Sequence, residues 1–358
     1  MKLRSSVRQM EKRQISGHDG WAITRRVFLK STAASLAGLA VLPSSCIPTS
    51  PSDARLRRAR FGIVTDCHYA DADTVGTRFY RESIGKLAEC VELMNAEKVD
   101  SLIELGDLKD QNNPPVESKT LSYLQDVEAV FQQFNGATYH VLGNHDIDSI
   151  SKAQFLSCVE NTNIDSARSY YSFQLKGLRY VVLDANYRAD GADYDHGNFD
   201  WTDANIPSEE LDWLKENLAT ARGRVIIFVH QLLDGSGSVY VNNAADVRQI
   251  LQASGKVLAV FQGHHHSGSY SNVAGIHYYT LRAMVEGTGL ENSSHAIVEV
   301  HPDGTITVTG YRKAVSQELS QKPGESSHDQ SDGRRRELHA TVRASLCRCA
   351  HVGRQCIL

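Results

Sequence analysis

The chain has 358 residues, 41% hydrophobic and 22% charged, which excludes a disordered or multi-span membrane protein and fits one large α/β domain with appended segments. Its net charge of −4 averages a basic head (1–60, net +9), an acidic body (61–313, net −15) and a weakly basic tail (314–358, net +2). An acidic body argues against nucleic acid as a bulk electrostatic partner and suits carboxylates that hold cations.

From the N-terminus, Thr24-Arg25-Arg26-Val27-Phe28-Leu29-Lys30 leads into the apolar run Ser31 to Leu42 and then Pro43, Ser44 and Ser45. At about 12 residues the run is too short for a bilayer, which needs about 20 helical residues. The arrangement resembles a twin-arginine signal peptide. It implies a leader over 1–46, a linker over 47–60, the twin-arginine export machinery as a partner and a periplasmic or envelope location. No transmembrane span remains in the mature chain. Cys46 is a candidate lipid-attachment site, although Leu42, Pro43, Ser44 and Ser45 match such a site poorly. Cys67, Cys90 and Cys158 have no C-x-x-C spacing, so a disulfide-dependent body is not expected.

Short apolar runs then alternate with helical periodicity. Phe61–Thr65, Ser101–Leu105 and Thr138–Leu142 read as buried strands, separated by helices over Thr77–Ala96 and Lys119–Phe134. This spacing predicts βαβ units and a parallel sheet. Tyr170–Leu175 and Arg179–Leu183 read as a hairpin, and Ser208 as the cap of a helix through Leu218. Strands follow at Val225–Val229, Val257–Phe261, Ile276–Thr280, Ala296–Val300 and Thr305–Thr309, with a helix at Ala244–Gln252. The expected architecture is a two-sheet α/β/β/α sandwich over 61–313. The Ser/Gln/Gly/Arg-rich tail, 314–358, is expected to lack structure.

Each buried strand is followed by chemistry. The turns carry Asp66-Cys67-His68, Gly106-Asp107 with Asp110, Gly143-Asn144-His145-Asp146, His230, and Gly263-His264-His265-His266. Loops at the carboxyl ends of strands form the ligand crevice of open α/β sheets, so these turns should converge. A set of Asp, His and Asn without thiolates suits a transition-metal site; Cys67 reads as a packing residue.

The series D-x-H, G-D-x-x-D, G-N-H-D, H and G-H-x-H resembles the calcineurin-like metallophosphoesterase superfamily over residues 61 to about 312. The resemblance implies two metal ions (manganese, with iron or zinc as alternatives). Asp66, His68, Asp107 and His266 would hold one. Asp107, Asn144, His230 and His264 would hold the other, with Asp107 bridging. A water shared by both ions would become an available hydroxide near neutral pH. His145 would protonate the leaving oxygen, Asp146 would orient His145, and His265 would point away.

Where purple acid phosphatases carry Tyr this chain has Asp110, and the arginine of protein phosphatases is missing from Lys109-Asp110-Gln111-Asn112. Gly76 through Arg81, Ser208 through Leu214 and Gly263 through Tyr270 look most like manganese-dependent ADP-ribose/CDP-alcohol diphosphatases and bacterial cyclic-nucleotide phosphodiesterases. His68 stands where those diphosphatases often carry Gln. The segment Tyr187–Asp203, rich in Asp and carrying Tyr187, Tyr194, Phe199 and Trp201, reads either as a substrate-facing lid or as a solvated acidic loop. Arg78, Arg81 and Arg282 are candidate phosphate contacts. The expected function is an exported hydrolase of phosphodiester or pyrophosphate bonds in small, nucleotide-like molecules. A secreted phosphomonoesterase and a non-catalytic envelope binding protein are the alternatives.

Overall fold

Runs of Val, Ile, Leu and Phe buried on both faces pair in parallel, and parallel pairing requires helical crossovers. A computed structural model describes residues 58–320 and shows this unit twice. The first half runs β1 (Ala59–Val64), α1 (Ser83–Glu97), β2 (Ser101–Glu104), α2 (Glu117–Phe131), β3 (Ala137–His140) and α3 (Lys152–Cys158). The second begins with the hairpin β4 (Tyr171–Leu175) and β5 (Leu178–Val182), then α4 (Ser208–Thr220), β6 (Val225–Phe228), α5 (Ala244–Ser254) and β7 (Val257–Gln262). The strands β8 (Ser269–Val273), β9 (Ile276–Thr280), β10 (Ser294–Val300), β11 (Ile306–Arg312) and β12 (Gln317–Leu319) follow.

Two six-stranded sheets result, ordered β12-β11-β10-β1-β2-β3 and β4-β5-β6-β7-β9-β8. The strands β1-β2-β3 and β5-β6-β7-β9 are parallel, while the remaining pairs are antiparallel. Aromatic rings join the sheets: Phe61 of β1 meets Tyr180, Phe228 and Phe261 edge-on, each at 5.6 Å. Leu87, Val91, Leu124 and Val127 of α1 and α2 cover the outer face of the first sheet. Leu214, Leu218, Val247 and Leu251 of α4 and α5 cover the second. This is the α/β/β/α sandwich that the sequence pattern predicts.

Several boundaries differ from expectation. The segment from Thr77 becomes α-helical only at Ser83, after a 3-10 turn at Tyr80–Glu82. Ser208 is the first residue of α4; Pro207 occupies the cap, without a side-chain cap bond. β1 begins at Ala59, inside the segment read as linker. The segment after Lys313 does not lose structure at once, because β12 pairs with β11 and buries Leu319 opposite Ile306. The leader, Cys46 and the tail beyond residue 320 lie outside the described residues. Among the described residues, no helix is long and apolar enough to cross a membrane.

Candidate metal centre and active site

The turns that follow β1, β2, β3, β6 and β7 meet at one place. Four of their non-glycine residues adopt positive φ: Asp66 (50°), His68 (46°), Asp107 (59°) and His264 (64°). Such backbone costs roughly 1–3 kcal/mol per residue and persists only where the surroundings over-determine it. Two glycines let the turns touch. A Cβ at Gly143 would lie 2.2 Å from both N and Oδ1 of Asp107, and one at Gly106, itself at φ +100°, would lie 2.5 Å from His230 Nδ1.

Asp66, His68 and His266 form one cluster and Asp107, His230 and His264 a second. In the first, Nε2 of His68 and of His266 are 3.2 Å apart, and lie 3.6 and 3.4 Å from Asp66 Oδ1. Asp107 stands between the clusters, its Oδ2 3.5 Å from His68 Nε2 and 3.2 Å from His230 Nε2. The opposite ring nitrogens are already engaged. His230 Nδ1 meets the Leu105 carbonyl at 2.8 Å, His266 Nδ1 meets Glu286 Oε1 at 2.6 Å, and His68 Nδ1 meets Asp110 Oδ2 at 3.1 Å. An acceptor on Nδ1 fixes the tautomer and orients Nε2 as the ligating atom.

The donor set fits metal ions on further grounds. Asp66 Oδ1, Asn144 Oδ1 and His230 Nε2 are buried without a hydrogen-bond partner, an arrangement that demands an explanation such as a cation. Burial alone would raise the Asp107 carboxyl, but the facing His230 and His145 rings hold it below the usual carboxylate range. Burial and then His230 push His264 down to about 3, whereas the facing Asp107 carboxylate, against burial, pushes His230 up to about 9, a proton that a bound cation would displace. The structure thus brings Asp66, His68, Asp107, His230, His264 and His266 together, with Asn144 beside them on the His145 turn. His265 enters neither cluster.

His145 is the half-exposed member of the site, its side chain 30% accessible. Its ring stands edge-on to His68 at 4.6 Å, and its backbone N–H donates to Asp107 Oδ1 at 2.7 Å. The partner of the His145 ring is not the expected Asp146. Asp146 does not orient the ring, because its carboxylate is buried and accepts from backbone N–H groups of Gly143 (2.8 Å), Asp107 (2.9 Å) and Leu108 (3.0 Å). It fastens the Gly106–Lys109 turn to the Gly143–Asp146 turn, and burial with the nearby Asp107 charge raises it to about 6. Asp110 and Asp148 face His145 Nδ1 instead, at 3.4 and 3.8 Å. The buried Lys109 ammonium secures this turn by donating to the His145 carbonyl at 2.5 Å and to Asp148. Cys67 is a packing residue, buried with its Sγ 3.6 Å from Met284 Sδ.

A cleft of about 480 Å³ opens at His145, lined by Gln111, Asn144, Asp148 and, from the acidic insert, Gly197, Phe199, Asp200 and Trp201. The insert therefore walls the site. Two of the candidate arginines are otherwise occupied: Arg81 pairs with Asp71 (2.5 Å) and Asp73 (2.9 Å), while Arg282 donates to the carbonyls of Ser267 and Lys313. Arg78 forms a backbone bridge with Glu286. The roles of Asp110, Asp148 and Glu286 were missed in the sequence; only Asp110, three residues after Asp107, carries a positional signal.

Two Asp/His clusters sharing one carboxylate, with a half-exposed histidine beside them on a two-sheet sandwich, define a phosphoesterase site of the two-metal kind. Residues 59–268 match the family model of the calcineurin-like phosphoesterases, and the chain belongs to that family. It is 30% identical to the manganese-dependent ADP-ribose/CDP-alcohol diphosphatase of Oryza sativa over 74% of this chain and 94% of the relative. It is 22% identical to the "Probable cyclic nucleotide phosphodiesterase" of Fibrobacter succinogenes over 58% of this chain and 73% of that one. A crystal structure of a dimetal phosphatase from Danio rerio shares the fold, with a TM-score of 0.63 and 20% identity over 74% of this chain and 99% of that one.

Proposed function

We propose that this chain is an exported, two-metal hydrolase of diphosphate or phosphodiester bonds in nucleotide-like small molecules. The observation that carries the reading is the shared Asp107 between two clusters of Nε2 and carboxylate atoms, with His145 at the mouth of the cleft. Divalent cations held there would supply Lewis acidity, neutralising phosphoryl charge and making the attacking water more acidic. His145 donates the proton that the leaving oxygen needs, and Asp110 stabilises the charged ring before transfer. Such general-acid help is worth about 10²–10⁴-fold. The diphosphatase named above supports manganese and a nucleotide diphosphate substrate, since the alignment spans nearly the whole relative.

The test uses purified full-length protein with Mn²⁺ on ADP-ribose, CDP-glycerol, bis-p-nitrophenyl phosphate and p-nitrophenyl phosphate, with and without chelator. The expected result is chelator-sensitive cleavage of ADP-ribose or CDP-glycerol to two phosphorylated products, at least about tenfold faster than the monoester. Dominant turnover of p-nitrophenyl phosphate would make it a phosphomonoesterase instead.

Export, and with it the twin-arginine machinery as partner, rests on Arg25-Arg26 before the short apolar run Ser31 to Leu42. Replacing both arginines with Lys should leave the protein in the cytoplasm; unchanged fractionation would contradict this reading.

A further inference from the structure

We infer that the cleft between Gln111 and the insert is a nucleobase pocket, with Trp201 as its stacking platform. This rests on the reading of the site as a nucleotide-cleaving centre and assigns the substrate half that lies along the His145 side. Trp201 is 47% exposed, among the most exposed large apolar side chains described, yet its ring lies 5.7 Å from the His264 ring. An indole held against the metal-ligand cluster with a face open to solvent can take a planar ring within reach of the reacting phosphate.

The chemistry of the wall selects the class of group. Its lining includes Asp148 and Asp200 but no Lys or Arg. Asp148 is already paired with the buried Lys109, so a further phosphate would meet the Asp200 carboxylate with no free cation in the wall, whereas an uncharged base can offer N–H donors to both. At about 480 Å³ the cleft lies in the range of small-molecule sites.

The wall is also built in advance. Phe199 is stacked on the buried Tyr194 ring at 3.8 Å, nearly parallel at 4°. Lys152 pairs with Asp184 at 2.7 Å and Asp193 at 2.5 Å, its ammonium 3.8 Å from the centre of the Tyr187 ring. The N–H groups of His196 and Gly197 donate to the carbonyls of Ile150 and Ile147, tying the insert to the His145 turn. A preorganised wall spares the ordering cost that a mobile lid would add on binding.

The experiment compares wild type, Trp201→Phe and Trp201→Ala as full-length, Mn²⁺-loaded proteins, with circular dichroism to confirm folding. Steady-state kinetics on ADP-ribose is paired with intrinsic fluorescence during titration with AMP. In Trp201→Ala, KM should rise roughly 5- to 150-fold with kcat within about threefold, and Trp201→Phe should retain most of the affinity. AMP should quench wild-type fluorescence saturably, and Trp201→Phe should lose that response. Wild-type turnover with an unchanged KM in Trp201→Ala would overturn the pocket while leaving the proposed function intact. Absence of nucleotide turnover by wild type would overturn the function; the pocket is then judged by the quenching alone, and fails if Trp201→Phe quenches like wild type.

Discussion

Asp110 places one carboxylate oxygen 3.4 Å from Nδ1 of His145, and that same oxygen lies 3.1 Å from Nδ1 of the cluster histidine His68. One side chain therefore contacts both the proposed proton donor and a proposed metal ligand. Asp110→Asn should lower kcat about 100-fold. In the double variant with His145→Ala the losses should not add, because the two residues act as a unit. A substrate leaving as p-nitrophenolate should be much less sensitive to either change, since a good leaving group needs little protonation. Additive losses, or equal sensitivity of both substrates, would separate Asp110 from the acid.

Glu286 would act through another proposed ligand, His266. Its 2.6 Å contact with His266 Nδ1 fixes which nitrogen faces Asp66. Glu286→Gln should weaken manganese binding at one of the two sites roughly 10- to 100-fold while the other is little changed. Titration calorimetry with Mn²⁺ on the chelator-stripped protein reads this directly. Two unaltered binding steps would remove Glu286 from the site.

Acid stability should depend on a histidine far from the Asp107 clusters in sequence. His295 on β10 is buried, stacked beside Tyr311 at 5.6 Å, and burial pushes it down to about 4. The unfolded chain takes that proton near 6.5, so between about 6.5 and 4 it binds more protons than the native state. Stability must fall as pH drops through this window, by an amount on the order of 3 kcal/mol at its acid end. His295→Gln should flatten this limb in chelator-treated protein. A slope identical to wild type would contradict the assignment.

The strands and the clustering of the Asp and His residues were legible because each signal is local. An apolar run names a buried strand, and the residues just beyond its end are placed by the topology. Asp66, His68, Asp107, His230, His264 and His266 all have this property. The supporting carboxylates do not. Glu286 follows β9 and reaches His266 across 20 residues of chain, and Asp148 acts through Lys109, a lysine whose burial no periodicity announces. Asp146 misled for a related reason: adjacency to His145 suggested a side-chain partnership, whereas its bonds run to the backbone of the neighbouring turn. β12 was missed because three residues with one buried leucine leave no pattern.

The most direct test of the central claim is the number of metal ions held per chain by wild type and by Asp107→Asn, measured by elemental analysis after loading with Mn²⁺ and desalting, alongside ADP-ribose turnover. Wild type should hold about two ions and show chelator-sensitive turnover, and a folded Asp107→Asn should lose metal and fall at least about 1,000-fold in turnover. Two ions and undiminished turnover in Asp107→Asn, or turnover by metal-free wild type, would contradict it.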